Sequence, residues 1–356
     1  MTQTDFQPNC LPLLIGSLPL GDHEAAANLV FESTPEIPLW VQLPVYPEEG
    51  MIRQFASGMP GLSIDGDKVR VDTADPDFEA ALLKFYETYM EVEEGRTRLD
   101  NTPFALTPET ARGFFVFMDH LKRRRTPPVA VKGQVTGPIT FCTALKTVSG
   151  QAIFYDEQLR DAAVKLLALK ARWQVQSLAQ FGRPVIIFID EPALAGFGSS
   201  ELISISREDV AACLSEVIGA VHAEGGLAGI HICANADWSV ILESEVDIVN
   251  FDAYSYFDKF ILYDHALRAY LDSGRIVAWG LVPTLSPEEI DRETVDSLVA
   301  AWEERADAVT ALDIDPSTLR RQSLITPACG TGSLSLAHAE RVLSLTRGVA
   351  DRIRAI

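Results

Sequence analysis

The stretch LAGIHICAN, residues 227–235, has the continuous apolar pattern of a buried β-strand and carries His231 and Cys233 two positions apart. Side chains at such a spacing leave a strand on the same face, so the imidazole and the thiol can converge on one point. Histidine nitrogen and cysteine thiolate are ligands that suit Zn²⁺. The pair alone is weak evidence, because buried cysteines and histidines are often ordinary core residues. A zinc site needs further ligands.

Eight apolar runs of this kind occur along the chain, and segments with apolar residues at helical spacing separate them. The runs cover residues 11–17, 39–45, 129–137, 185–192, 227–235, 247–254, 275–283 and 323–330. Most are continuous rather than alternating, as expected of strands buried on both faces. Helices are predicted over 156–181, 207–224 and 287–312 among others. Eight alternations of strand and helix predict an α/β fold, a (β/α)8 TIM barrel.

One long excursion interrupts the alternation between the second and third predicted strands, at residues 46–101. Within it, residues 62–71 have the pattern of a hairpin that turns at Asp65-Gly66, and residues 78–94 have that of a helix. An insertion at the top of a barrel usually covers or shapes the site. We therefore predict a single domain over residues 1–356, a barrel with this insertion, and regard a second domain as the alternative.

Composition excludes several classes of partner. The formal net charge is −20, which argues against nucleic acid and anionic membranes, since both attract basic surfaces. No apolar run reaches the length of a membrane span, and the first residues lack the pattern of a signal peptide. The five cysteines are scattered and odd in number, which does not indicate a disulfide framework. A cytoplasmic location is expected.

The ends of the predicted strands collect polar residues. They carry Gly16-Ser17, Thr136-Gly137-Pro138, Asp190-Glu191-Pro192, His231 with Cys233, Asp252, and Cys329-Gly330. The active site of a barrel lies at the carboxyl ends of its strands, so these residues are expected to meet at one face. His231, Cys233, Asp252 and Cys329 would supply one nitrogen, two sulfurs and one carboxylate, a plausible tetrahedral zinc set.

These motifs resemble those of the cobalamin-independent methionine synthase family, over nearly the whole chain. The family's zinc ligands are resembled by His231-Ile232-Cys233, Asp252 and Cys329-Gly330. Its motif on strand one is resembled by Ile15-Gly16-Ser17, that on strand three by Lys132-Gly133 with Thr136-Gly137-Pro138, and that on strand four by the run IDEPAL at 189–194. His231-Ile232-Cys233 is also similar to the methylcorrinoid:thiol methyltransferases related to uroporphyrinogen decarboxylase. Two departures stand out. Asp252 replaces the usual glutamate, and the chain leaves no room for the family's second, N-terminal barrel.

The resemblance implies a zinc-dependent S-methyltransferase that moves a methyl group to a thiol, homocysteine, to give methionine. It implies that Asp190 acts at the catalytic centre by binding the α-amino group, with Glu191 beside it as a second substrate-binding residue. Backbone N–H groups at Gly16-Ser17 would bind the α-carboxylate. The family usually has a second carboxylate for the amino group, which Glu48 or Glu49 could supply.

The resemblance leaves open the identity of the methyl donor and of the thiol substrate. A methylcorrinoid carried by a protein is favoured as donor, because no second barrel and no obvious basic site for a polyglutamate tail are present; methyltetrahydrofolate is the alternative. The thiol could instead be another small one, such as 2-mercaptoethanesulfonate. A further alternative is that the protein is not an enzyme but a non-catalytic zinc-binding barrel. Its zinc site would then be closed and would not exchange a ligand.

Overall fold

Seven parallel strands form the main sheet of the protein, which a computed structural model describes over residues 6–196 and 204–356. With the three strands of a smaller sheet, the described residues form ten strands: β1 (Leu11–Pro12), β2 (Leu62–Asp65), β3 (Lys68–Val71), β4 (Val131–Thr136), β5 (Lys146–Thr147), β6 (Val185–Asp190), β7 (Leu227–Ile232), β8 (Ile248–Phe251), β9 (Ile276–Val282) and β10 (Ser323–Pro327). The main sheet has the order β1-β10-β9-β8-β7-β6-β4, and every neighbouring pair is parallel.

Helices join successive strands of the main sheet. They are α1 (His23–Ser33), α2 (Met51–Ala56), α3 (Phe78–Glu93), α4 (Arg112–Arg123), α5 (Pro138–Ala144), α6 (Glu157–Ala179), α7 (Arg207–Ala223), α8 (Trp238–Leu242), α9 (Ala253–Phe260), α10 (Asp264–Asp272), α11 (Pro287–Arg292), α12 (Val295–Thr310), α13 (Pro316–Arg321) and α14 (Leu336–Ala355). Short 3-10 helices cover Pro47–Glu49, Leu99–Asn101, Ile153–Tyr155, Pro192–Gly196 and Ile261–Tyr263. No helix in the described ranges combines the length and the apolar character needed to cross a membrane.

Burial explains why the strands could be predicted from apolar runs. Every residue of β4, β7, β8, β9 and β10 is buried, because helices cover the outer face of the sheet and side chains fill the inner one. The α/β class and the parallel sheet are therefore confirmed. Polar residues inside these strands, such as Lys132 and Asn250, are exceptions to the pattern and need a specific explanation.

The predicted second strand, residues 39–45, differs from the others because it forms no ladder in the described structure. It makes single parallel bridges to both edges of the sheet, Ser17 with Gln42 and Leu39 with Lys132. The carbonyl of Trp40, between these bridges, accepts from the side-chain nitrogen of Gln134 at 3.0 Å. In a regular ladder this carbonyl would accept from a backbone N–H of the neighbouring strand. Because the Gln134 side chain takes that place, the segment is extended but irregular.

The insertion at residues 46–101 contains the predicted hairpin and helix. β2 and β3 pair antiparallel with Asp65 opposite Lys68, and Gly66 in the turn has a φ of +57°. β5 extends this pair to a three-stranded sheet. Helix α3 buries Phe78, Leu82, Phe85 and Val92, which belong to the same apolar core as the helices around the main sheet. This shared core is consistent with a single domain, which stays a prediction.

The long helix predicted over residues 287–312 is two helices, α11 and α12. The break occurs at Thr294, whose hydroxyl accepts from the backbone N–H of Ser297 at 3.1 Å, while its own N–H donates to the Ser297 hydroxyl at 2.9 Å. This reciprocal pair is a capping box, which satisfies the free N–H groups at a helix start and begins α12 anew.

Candidate metal centre and adjoining cavity

Three predicted zinc ligands lie together at the carboxyl ends of the strands. His231 is the penultimate residue of β7, Cys233 directly follows that strand, and Cys329 follows β10. The ligand atoms of the three side chains all lie within 4.8 Å of one another. His231 is buried and the two cysteines are partly exposed. Within the described ranges, they form the one group of three or more such side chains close enough to share a metal ion.

His231 is held from one side only. Its Nδ1 atom lies 2.5 Å from the Oδ1 atom of Asn250, the residue that faces it in the register of β7 and β8. Its Nε2 atom is buried without a hydrogen-bond partner. A buried polar atom left unpaired is uncommon and costly. An imidazole nitrogen in this state, beside two thiols, suits a metal ligand, so the residues present fit Zn²⁺.

Electrostatic interactions within the group favour a thiolate. Contact with the Cys329 thiol and with His231 lowers the pKa of Cys233 to about 4, although burial opposes this. The same contact and burial raise the pKa of Cys329 above its usual range. Burial lowers the pKa of His231, but Cys233 and Asp190 outweigh it and the net pKa is raised. Thiolate is the form of cysteine that binds metals.

Asp252, the predicted fourth ligand, lies outside this group of three. Its side chain is buried and its Oδ1 atom accepts from the backbone N–H of Ser255 at 2.8 Å, so that it caps the start of α9. Burial raises the pKa of Asp252, and the nearby Cys233 adds to the increase. The structure thus gives Asp252 a helix-capping role, and its coordination of a metal stays a prediction.

A cavity of about 390 Å³ adjoins the three side chains. Its lining comprises Ile15, Ser17, Gln42, Pro44, Glu49, Gly50, Met51, Asp190, Pro192, His231, Cys233, Cys329, Gly330, Gly332 and Ser333. The lining joins residues from the carboxyl ends of β6, β7 and β10 with residues at the start of the insertion. The face expected to bear the site therefore carries a cavity, and the insertion forms part of its wall.

Asp190 ends β6 and faces this cavity. It is the register partner of His231, and its Oδ1 atom is buried without a hydrogen-bond partner. Burial raises the pKa of Asp190, while His231 and Lys132 act to lower it. The Lys132 ammonium is fully buried, donates to the carbonyl of Ile15 and lies 4.5 Å from the ring centre of Phe188. A carboxylate in a cavity lining with one unpaired oxygen is suited to bind a cationic or N–H group of a ligand.

Ser17 lies in the cavity lining, whereas Gly16 lies behind it. The carbonyl of Ser17 accepts from the N–H of Thr331 at 3.0 Å, and its hydroxyl accepts from the N–H of Gly332 at 3.2 Å. These bonds fix the loop that follows Cys329. A side chain at Gly16 would bring a Cβ within 3.0 Å of the Gln42 amide oxygen. Glycine is therefore favoured by close packing, and Ser17 positions the Cys329 loop.

Glu191 does not line the cavity, in contrast to the prediction that it binds substrate. It is fully buried and accepts from the N–H of Ile139 at 2.8 Å, and from the N–H and hydroxyl of Thr140 at 2.9 and 2.6 Å. Burial raises its pKa to about 7 in spite of these three hydrogen bonds. Both carboxylate oxygens are used at the start of α5, so the geometry assigns Glu191 to the fold rather than to a ligand.

For two residues near the site, the sequence patterns left the role undecided or gave no prediction. Of Glu48 and Glu49, the second lines the cavity; its oxygens contact His23 Nε2 at 2.6 Å and the N–H of Leu43 at 2.7 Å. Asn250 was missed, although a polar residue inside the apolar strand IVNF was a usable signal. Its contact with His231 depends on the strand register, which apolar periodicity does not specify.

Comparisons with known proteins do not assign a family. No family model and no curated protein matches the chain. Among solved structures it is similar to a B12-independent methionine synthase from Shewanella sp. W3-18-1 in complex with selenomethionine, with 19% identity over 67% of each chain and a TM-score of 0.48. It is also similar to the GH113 β-mannanase AaManA from Alicyclobacillus acidocaldarius in complex with ManMIm, with 13% identity, coverage of 69% of this chain and 76% of the other, and a TM-score of 0.37.

Proposed function

We propose that the protein is a zinc-dependent methyltransferase that moves a methyl group to the sulfur of a small thiol, homocysteine, to give methionine. The observation that carries the proposal is the convergence of His231, Cys233 and Cys329 at a cavity whose lining includes Asp190, a residue with one buried, unpaired carboxylate oxygen. The resemblance of the strand-end motifs to cobalamin-independent methionine synthases adds support that is independent of this geometry.

Zinc would be held by His231, Cys233 and Cys329, with Asp252 as the candidate fourth ligand. When bound, it would lower the pKa of the substrate thiol, so that the thiol reacts as thiolate at neutral pH. Three protein ligands with one position for a substrate are typical of catalytic zinc sites, so the substrate thiol would take the fourth position and would displace Asp252 if that residue binds the metal. Thiolate ligands and a neutral imidazole would also limit the net positive charge near the reacting sulfur.

The other cavity residues would position the substrate. Asp190 would bind the α-amino group, since it lines the cavity and its Oδ1 atom has no hydrogen-bond partner. Burial raises the pKa of Asp190, and His231 and Lys132 act against this increase. Glu49, unlike Glu191, lines the same cavity and would be the second carboxylate for that amino group, in addition to its contacts with His23 and the N–H of Leu43. Ser17 would contribute to the site of the α-carboxylate. Holding the thiol in line with the methyl donor would lower the barrier by up to ~7–11 kcal/mol, an upper range for positioning.

For the donor we propose a methylcorrinoid, carried by a partner protein in the cytoplasm, with methyltetrahydrofolate as the alternative. In this transfer the thiolate electron pair forms the S–C bond, and the electron pair of the broken Co–C bond stays on the corrin cobalt. The described lining of the cavity includes neither lysine nor arginine, which gives no support to binding of a polyglutamate tail.

We also propose that the sheet closes into an eight-stranded barrel through residues 39–42, and that the chain forms one domain with its insertion. In support of closure, this segment bridges Ser17 on one side and Lys132 on the other, next to the two edge strands β1 and β4. In support of one domain, the insertion supplies Glu49 and Met51 to the cavity wall.

The test is an assay of the zinc-loaded protein with homocysteine and either methylcobalamin or methyltetrahydrofolate. Methionine is expected with methylcobalamin. The variant Asp190→Asn should raise the KM for homocysteine, since a neutral amide binds an ammonium group more weakly. Absence of methionine with both donors would contradict the proposal.

The alternatives predict different results. If 2-mercaptoethanesulfonate is the substrate, it will be methylated faster than homocysteine and Asp190→Asn will have little effect, because that thiol has no amino group. If the protein is a non-catalytic zinc-binding barrel, added thiol will leave the zinc X-ray absorption edge unchanged, since a closed four-ligand site exchanges no ligand.

A further inference from the structure

Asn250 lies in β8, and its side chain is fully buried between the neighbouring strands. Its Oδ1 atom is 2.5 Å from Nδ1 of His231 on β7, and its Nδ2 atom is 2.9 Å from the carbonyl of Ala278 on β9. Nδ2 is also 2.8 Å from the hydroxyl of Thr326 on β10. One amide thus connects the strand that carries His231 to the strand that leads to Cys329.

These contacts fix the orientation of the amide and the position of a proton. The carbonyl of Ala278 can only accept a hydrogen bond, so the group that faces it must be the amide nitrogen of Asn250. The amide oxygen therefore faces His231 and, because it too can only accept, Nδ1 of the imidazole must carry hydrogen. A neutral imidazole has one N–H, so Nε2 keeps its lone pair.

We infer that Asn250 is a positioning residue that holds neutral His231 in the Nδ1–H tautomer and keeps Nε2 available to a metal shared with Cys233 and Cys329. For the metal, this inference rests on the proposed function. The hydrogen bond to Asn250 holds Nδ1 of the ring, while the buried Nε2 atom has no hydrogen-bond partner. Partners that orient a metal-binding histidine typically account for a 10–100-fold effect on metal affinity.

Loss of Asn250 would also remove contacts among four strands, so reduced stability alone would not identify a positioning role. The tautomer of His231 and the zinc affinity are the informative readouts, because a merely structural role would change neither. Gln322 provides a matched control. Its buried amide nitrogen also donates to two backbone carbonyls, those of Leu271 and Arg275, just before the start of β10 and at the opposite end from Cys329.

The first measurement uses the metal-free wild-type chain labelled with ¹⁵N. Long-range ¹H–¹⁵N correlation spectra in mildly alkaline buffer distinguish the two neutral tautomers, and a His231→Gln variant identifies the signals of this ring. The expected result is the Nδ1–H form. Detection of the Nε2–H form would overturn the inference, and this outcome requires no Asn250 variant to fold.

The second measurement compares variants by zinc competition with a chelator. Asn250→Leu removes the acceptor and should give mixed tautomers with zinc affinity about 10–100-fold lower, whereas Asn250→Asp keeps an acceptor and should retain the Nδ1–H form and most of the affinity. Gln322→Leu should change neither readout. An Asn250→Leu variant with wild-type tautomer and affinity would overturn the inference. A wild type with the Nδ1–H form that binds no zinc would contradict the proposed function while supporting the tautomer.

Discussion

The candidate metal centre consists of side chains that the fold brings together from distant parts of the sequence. Cys233 and Cys329 follow different strands, and their thiols interact so closely that one is favoured as thiolate and the other as thiol. The other cysteines have ordinary packing roles: burial raises the pKa of Cys142 well above its usual value and that of Cys213 to about 11. Among the described residues, Cys233 and Cys329 are the cysteines that lie in a group able to share a metal ion.

Serine at either of these two positions should remove most of the zinc. Cys233→Ser and Cys329→Ser each replace a thiolate by a hydroxyl, which is a poor zinc ligand at neutral pH. Zinc content of the purified variants, measured by plasma emission spectrometry, should fall well below one ion per chain. Cys213→Ser is the control and should keep the wild-type content. Stoichiometric zinc in both ligand variants would refute the assignment.

Lys170 is a buried amine that should reduce the stability of the protein at neutral pH. It is almost fully inaccessible, its Nζ atom has a long contact of 3.4 Å to the carbonyl of Pro103, and burial lowers its pKa from 10.5 to about 7. Between these pH values the unfolded chain binds more protons than the folded one, so the free energy of unfolding rises with pH.

Lys170→Met should therefore stabilise the protein more at neutral than at alkaline pH. The gain should be larger by about 3 kcal/mol near pH 7 than near pH 10, measured by urea denaturation at both pH values. Lys165→Met on the same helix is the control. Ion pairs with Asp161 and Glu216 raise the pKa of Lys165, so its removal should bring no gain at neutral pH. A gain for Lys170→Met that is independent of pH would contradict the burial of a titrating amine.

At the scale of elements, strands and helices were predictable from sequence where burial alone determines them, and less so where a specific side-chain contact does. Strands such as β7 and β9 are covered on both faces, so an apolar run was a sufficient signal for them. Residues 39–45 are also apolar, but the Trp40 carbonyl bonds to a side chain, which periodicity cannot indicate. The break at Thr294 had a local signal, the spacing to Ser297, which a search for helical periodicity overlooks.

The start of helix α5 depends on the buried carboxyl group of Glu191. The carboxylate of Glu191 accepts three hydrogen bonds from its first turn, and this arrangement requires glycine at position 137. A Cβ at Gly137 would lie 2.1 Å from Cδ of Glu191, far below any normal contact. Both residues follow predicted strands, but their use in capping a helix depends on a contact between two loops.

The cost of a methyl group at Gly137 should therefore depend on Glu191. Gly137→Ala is expected to lower the free energy of unfolding by several kcal/mol in the wild type, and by clearly less in a Glu191→Ala background, where the obstructing group is absent. Denaturant unfolding of the four proteins of this cycle gives the interaction energy. Gly219→Ala, in helix α7 with open space around the new methyl group, should instead stabilise by about 0.5–1 kcal/mol. Additive effects would contradict the contact.

At the scale of the whole molecule, the site could be predicted in part because barrels collect strand ends at one face. That rule predicted that His231, Cys233, Cys329 and Asp190 lie near one another, and all four line one cavity. It could not distinguish residues that point into the cavity from those that cap a helix, as Glu191 and Asp252 do. It also could not foresee that the insertion supplies Glu49, since no strand order specifies where a long excursion packs.

Zinc should stabilise the molecule as a whole, because its ligands come from strands that are distant along the chain. Cys329 follows β10, and that strand pairs with β1 near the start of the chain and with β9. An ion bound only by the folded state adds RT ln(1 + [Zn]/Kd) to the free energy of unfolding, about 2.7 kcal/mol at a hundredfold excess over Kd. Thermal unfolding should thus show a midpoint that rises with free zinc and falls on chelation. The same titration of Cys329→Ser should show almost no zinc dependence, and an equal zinc-dependent rise in that variant would mean that the ion binds elsewhere.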